Sequence, residues 1–129
     1  MAAGTCIATV RVLIADDHRL FAEALEAVLG TEPELEVVGL ATNGQEALAL
    51  ARDLEPDVVL LDISMPVMDG FEAASEIAKL PSKPAILMLS GSNAPQDIDR
   101  ARRSGASGYV TKDTIAARLV SAIRAAAAA

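Results

Sequence analysis

Three aspartates, a serine and a lysine stand where apolar segments end: Asp16 and Asp17 after "VRVLIA", Asp62 closing "DVVLLD", Ser90 closing "AILMLS" and Lys112 closing "GYVTK". Carboxylates brought together repel one another, and their pKa values rise unless a cation joins them. A hard divalent ion suits that need. Mg²⁺ favours one or two carboxylates, waters and an oxygen of a reacting phosphate over a complete protein cage. A carboxylate beside such an ion can attack phosphorus and form an acyl phosphate, while cationic groups neutralise the transferring oxygens. On this chemistry Mg²⁺ is the expected cofactor, Asp62 the nucleophile, and Ser90 and Lys112 the clamps on the phosphoryl oxygens.

The elements that must position these groups alternate regularly. "VRVLIA" (10–15), "LEVVGLA" (35–41), "DVVLLD" (57–62), "AILMLS" (85–90) and "GYVTK" (108–112) are β-branched or apolar runs of strand length. Between them, Leu20, Phe21, Ala24, Leu25, Val28 and Leu29 recur at helical spacing before Gly30, and Asn43 with Glu46 has capping-box spacing ahead of a second helix. "GFEAASEIAKL" reads as a helix closed by Pro81, a weaker one covers about 95–104, and "TIAARLVSAIRAAAAA" is the last. Five β–α units with nearly continuous apolar strands imply an α/β fold, a parallel sheet with helices on both faces. Open sheets of this kind bind ligands beyond the carboxyl ends of their strands. With right-handed crossovers the five polar groups gather on that edge.

Composition narrows the function. The 129 residues suit one domain, with an ordered core expected over about 10–125. Net charge is −7 and the aromatics are only Phe21, Phe71 and Tyr109, which argues against direct contact with nucleic acid. Residues 96–129 nevertheless carry +3, leaving −10 upstream, so the C-terminal quarter is expected to present a surface of its own. No apolar run approaches a membrane span and the start lacks the layout of a secretory signal. With a single cysteine, Cys6, the chain is expected in the cytoplasm.

"ADD" (15–17), "LLDISMPVMDG" (60–70), "LS" (89–90) and "GASGYVTK" (105–112) resemble, in order, the signature segments of the receiver domains of two-component response regulators. The resemblance covers about residues 10–125 and implies a flavodoxin-like, doubly wound sheet of strand order 2-1-3-4-5. It implies that Asp62 accepts a phosphoryl group from the phosphohistidine of a sensor histidine kinase, and that the domain catalyses its own phosphorylation and dephosphorylation. Asp17 would bind Mg²⁺ directly, Asp16 largely through water, Asp62 as a further ligand, and Ser64 through its backbone carbonyl. Ser90 would move to the phosphate and Tyr109 turn inward. The change would reshape the face of the fourth helix, fifth strand and fifth helix, or the neighbouring first and fifth helices, and govern homodimerisation or release of an output domain.

"DDH" (16–18) and "KD" (112–113) are similar to the branch that carries LuxR-type helix-turn-helix output domains. DNA would then be met only through such a domain, and the "AAAAA" ending inside a helix favours an excised receiver over a stand-alone one. Asp113, where proline is common, argues for a trans peptide after Lys112. Ser64 and Ser92 are small, and the resemblance implies that their positions line the path of the attacking water. Simpler readings compete: Asp17 as a helix N-cap, His18 as an exposed capping neighbour rather than a phosphorelay histidine, and Tyr109 as a half-buried core ring. An aspartate-based phosphohydrolase would carry an acid two residues after its nucleophile, where His18 and Ser64 stand instead. An unphosphorylated docking module would have no use for the acidic set.

Overall fold

The computed structural model describes residues 9–91 and 95–128. Its strands are β1 (Val10–Ala15), β2 (Leu35–Ala41), β3 (Val58–Asp62), β4 (Ala85–Ser90) and β5 (Gly108–Thr111). Between and after them come helices α1 (Arg19–Leu29), α2 (Gly44–Leu54), α3 (Gly70–Ile77), α4 (Pro95–Arg103) and α5 (Ile115–Ala128), with a 3-10 turn at Lys112–Thr114. The strands form one parallel sheet in the order β2-β1-β3-β4-β5, the doubly wound flavodoxin-like order.

Alternation along the strands divides the core into two layers. Leu13, Ala15, Val59, Leu61, Ile86 and Met88 pack under α2, α3 and α4. Val12, Ile14, Val58, Leu60, Leu87, Leu89 and Val110 pack under α1 and α5. Both faces of the three central strands are therefore apolar, and their polar residues are left for the ends. α2 and α3 meet the sheet largely through Ala47, Ala51, Ala73 and Ala74, all with no exposed surface.

Local signals explain most boundaries. Asn43 Oδ1 accepts the Glu46 N–H at 2.8 Å, while the Glu46 carboxylate reaches back to the N–H of Thr42, one residue beyond the usual capping-box partner. Asp69 caps α3 through the Glu72 N–H at 2.9 Å. α3 is shorter than its sequence pattern: regular helix stops at Ile77, and Lys79 and Leu80 tighten into i→i−3 bonds before Pro81. Lys112 likewise leaves the fifth strand, which ends at Thr111, and opens the 3-10 turn.

Packing and ion pairing decide two features of the surface. Of the apolar periodic set in α1, Leu20 and Val28 are 84% and 48% exposed, because the sheet accepts only the stripe Ala22, Leu25 and Leu29. Nor is the positive charge of the C-terminal quarter all free. Arg124 pairs with Glu32 and Glu34 across the end of the sheet, Arg103 pairs with Asp99, and the Arg100 guanidinium lies 4.2 Å over the Phe71 ring. Cys6 and Ser92 lie outside the described residues. Among the described residues no helix is long and apolar enough to cross a membrane.

Candidate functional site

Strand register assembles the site. Ala15 pairs with Leu61, so the next residues, Asp16 and Asp62, emerge side by side from β1 and β3. Asp62 pairs with Leu89, placing Ser90 one step further along β4, and Ser90 pairs with Thr111, after which Lys112 follows. The polar groups read from the strand ends thus share one edge. Asp16, Asp62 and Ser90 are the only buried polar side chains among the described residues, 1%, 4% and 7% exposed.

Asp16 is pinned from three sides: its N–H donates to Ala41 O, one carboxylate oxygen accepts the His18 N–H at 2.8 Å, and the other lies 3.4 Å from Lys112 Nζ. Lys112 Nζ is also 3.6 Å from Asp62 Oδ2. The other Asp62 oxygen receives a long 3.4 Å bond from the Ser64 N–H. Asp17 is exposed at the rim. It is not the cap of α1; the N-cap residue is His18, which makes no side-chain cap bond. Carboxylate oxygens of Asp16, Asp17 and Asp62, together with a ring nitrogen of His18, lie within 4.8 Å of one another. Tyr109 is half-buried against the core layer under α2, α3 and α4, and with Ile98, Ala101 and Arg102 lines a cavity of about 90 Å³ between α4 and β5.

Burial pushes the Asp62 carboxyl from its ordinary 3.8 to about 6, and the neighbouring Asp16 charge adds to the rise. The Lys112 ammonium and the Ser64 N–H oppose it, and Asp17 raises it slightly. One lysine does not balance three carboxylates. A compact set of hard oxygen donors with excess negative charge fits a divalent cation such as Mg²⁺, and the residues present could supply its carboxylate ligands.

A family model described as the response regulator receiver domain matches residues 12–124. The chain belongs to the response regulator receiver domain family. Among curated relatives of this receiver, the transcriptional regulatory protein LiaR of Bacillus subtilis is 39% identical over 91% of the chain, and the response regulator protein VraR of Staphylococcus aureus is 36% identical over 90%. The chain spans 56% of the length of each. The signal receiver domain of the response regulator NarL of Mycobacterium tuberculosis superposes with a TM-score of 0.87 at 36% identity, over 93% of this chain and 97% of that one. A LuxR-family response regulator from Aurantimonas gives 0.88 at 34% identity, over 93% and 86%. These likenesses support the LuxR-type branch.

Three contributors to the receiver's site were not assigned to it from the sequence. His18 brings Nδ1 to 3.4 and 3.5 Å from Asp16 and Asp17. Gly44 donates its N–H to Met68 O and so ties the start of α2 to the loop after Asp62. Phe21, read only as one of the apolar residues recurring at helical spacing, places its ring against Lys112.

Proposed function

We propose that this receiver accepts a phosphoryl group from the phosphohistidine of a sensor histidine kinase onto Asp62, in a Mg²⁺-dependent reaction, and thereby switches a partner or output-domain surface. The observation that carries the reading is the buried Asp62 carboxylate beside both an ammonium and a second buried carboxylate. A ligand-free docking surface has no need of that arrangement. In the transfer an Asp62 oxygen attacks phosphorus, the phosphorus–nitrogen bond breaks, and the kinase imidazole leaves with its electron pair and takes up a proton. Lys112 neutralises a phosphoryl oxygen. The carboxylates of Asp16, Asp17 and Asp62 and the carbonyl of Ser64 would hold Mg²⁺, which when bound supplies positive charge against the transferring oxygens. Water attack on the same phosphorus breaks the bond to the Asp62 oxygen, releases inorganic phosphate and returns Asp62 to its free carboxylate, which closes the cycle.

The Ser90 hydroxyl then bonds a phosphoryl oxygen and Tyr109 moves into the space released, which alters the face of α4, β5 and α5. That face, or α1 with α5, would serve homodimerisation or the hold on an output domain, and DNA would be contacted only through such a domain. Three likenesses support this. LiaR is a transcriptional regulatory protein, VraR is a response regulator, and a CheY of Borrelia burgdorferi, 25% identical with a TM-score of 0.83, is known in complex with CheX, BeF₃ and Mg²⁺. A cytoplasmic location follows from a kinase partner that uses ATP.

The test is intact mass after incubation with Mg²⁺ and a small acyl-phosphate donor. One added phosphoryl group is expected in the wild type and none in Asp62→Asn or in metal-free protein. An unmodified wild type with its fold intact would overturn the reading. Mg²⁺ at a hundred times its Kd should also stabilise the protein by about 2.7 kcal/mol, seen as a rise in the unfolding midpoint. Asp17→Asn should lose most of that rise, and a midpoint indifferent to Mg²⁺ would remove the metal from the scheme.

A further inference from the structure

Lys112 reaches the other site groups on the longest side chain among them. It opens a 3-10 turn, and the residue after it is Asp113, so no proline ring restrains the chain there. Its four-carbon stem carries about 2 kcal/mol of rotamer entropy, and its ammonium is a point charge with no preferred direction toward a carboxylate. The distances of 3.4 and 3.6 Å to Asp16 and Asp62 are longer than the roughly 2.8 Å of a seated charge-assisted bond. Neither carboxylate alone holds the ammonium in place.

The third neighbour is a ring. Lys112 Nζ lies 4.5 Å from the centroid of Phe21 on α1, within the range in which the negative face of an aromatic attracts a cation. Phe21 is itself half-buried and packs against the core layer under α1 and α5, so its plane is set by helix packing rather than by the site.

We propose that Phe21 is a positioning residue for phosphoryl transfer, its ring face holding the Lys112 ammonium midway between the Asp16 and Asp62 carboxylates. An aromatic face has three properties that suit this post. It attracts the ammonium without lending it a hydrogen-bond acceptor, so the N–H donors stay available to the incoming phosphoryl oxygens. It carries no net charge, so it does not repel a phosphoryl dianion as a further carboxylate would. It covers the ammonium on one side and leaves the charge preorganised toward the nucleophile before the donor arrives.

This inference rests on phosphorylation of Asp62. Its test replaces Phe21 with phenylalanines bearing one, two and three ring fluorines, which keep the shape and progressively remove the negative face. The rate of phosphoryl gain from a small acyl-phosphate donor at fixed Mg²⁺ is expected to fall stepwise, by about fivefold for the trifluorinated ring and for Phe21→Leu. Phe21→Tyr should stay near the wild-type rate, and unfolding midpoints should barely change across the fluorinated series. In NMR spectra of the unphosphorylated protein the ε-methylene protons of Lys112 should be shifted upfield by the ring current and return toward ordinary values in Phe21→Leu. A wild type that gains phosphate while the fluorinated series stays flat, or Lys112 resonances without a ring-current shift, would overturn the role of Phe21. A wild type that gains no phosphate would instead strike the transfer reaction itself.

Discussion

Asp62→Asn is expected to raise the unfolding midpoint of the metal-free protein at pH 7 by about 3–8 °C, in the same substitution that removes the proposed phosphoryl acceptor. The Asp62 carboxyl in the folded protein titrates at about 6 against an ordinary 3.8, so the folded state binds its proton more tightly than the unfolded chain does. Below pH 3.8 both states are protonated and the group contributes no difference. As pH rises through this window the folded state is forced to carry a buried charge, and above about 6 the full destabilisation is present. Taken whole, the shift corresponds to about 3 kcal/mol. The site mouth is open to water at Asp17, so about 1–2 kcal/mol is a better expectation after screening. Asparagine keeps the shape and removes the charge, while Lys112 retains Asp16 at 3.4 Å. Thermal melts of both proteins from pH 4 to pH 7 in chelator check this. The two curves should converge at the acid end and separate as pH rises, and a substitution that destabilises at neutral pH would contradict the electrostatic account.

Gly70→Ala should lower stability by about 3 kcal/mol, roughly a 10 °C fall in midpoint, and weaken Mg²⁺ binding with it. A Cβ at residue 70 would stand 2.3 Å from the Asp62 carbonyl oxygen and 2.8 Å from Ile63 Cα. Both obstacles are backbone, so no side chain can swing aside; the loop would have to move. That loop carries Ser64, and the Gly70 N–H closes it by donating to Ile63 O at 2.9 Å. Gly44→Ala should behave similarly, since its Cβ would meet Met68 O at 2.1 Å. Gly91, with nothing within 4 Å of a Cβ, is the control, and its alanine variant should melt within about 0.5 kcal/mol of wild type. Equal midpoints for all three variants would mean that close packing around the loop is not what places Ser64.

Much of the site was legible because it hangs on strand ends. Asp16, Asp17, Asp62, Ser90 and Lys112 follow runs such as "VVLL", whose length and β-branching announce buried parallel strands, and parallel strands present their carboxyl ends on one edge. Less legible was the support around them. The period of α1 marked Phe21, Leu20 and Val28 alike as apolar, yet packing against the sheet buries Ala22, Leu25 and Leu29, sends Leu20 and Val28 to solvent, and leaves Phe21 under Lys112. Periodicity names a face, not which of its edges the neighbouring element covers. The surplus of basic residues near the C-terminus was countable, but its pairing was not, because the partners of Arg124 lie 90 and 92 residues away.

The sequence by itself determined the alternation of strands and helices, the carboxylates that stand at the ends of β1 and β3, and the cap at Asn43. These depend on hydrophobic period, chain-end chemistry and contacts within a few residues. Tertiary structure decided the rest: the Lys112 ammonium shared by Asp16 and Asp62 across 96 residues of chain, the Gly44 N–H tied to Met68, and the Phe21 ring beside the lysine. Each of these arises where separate elements pack across the sheet, and the distance between such groups is set by strand register and helix placement, which no local stretch of residues contains.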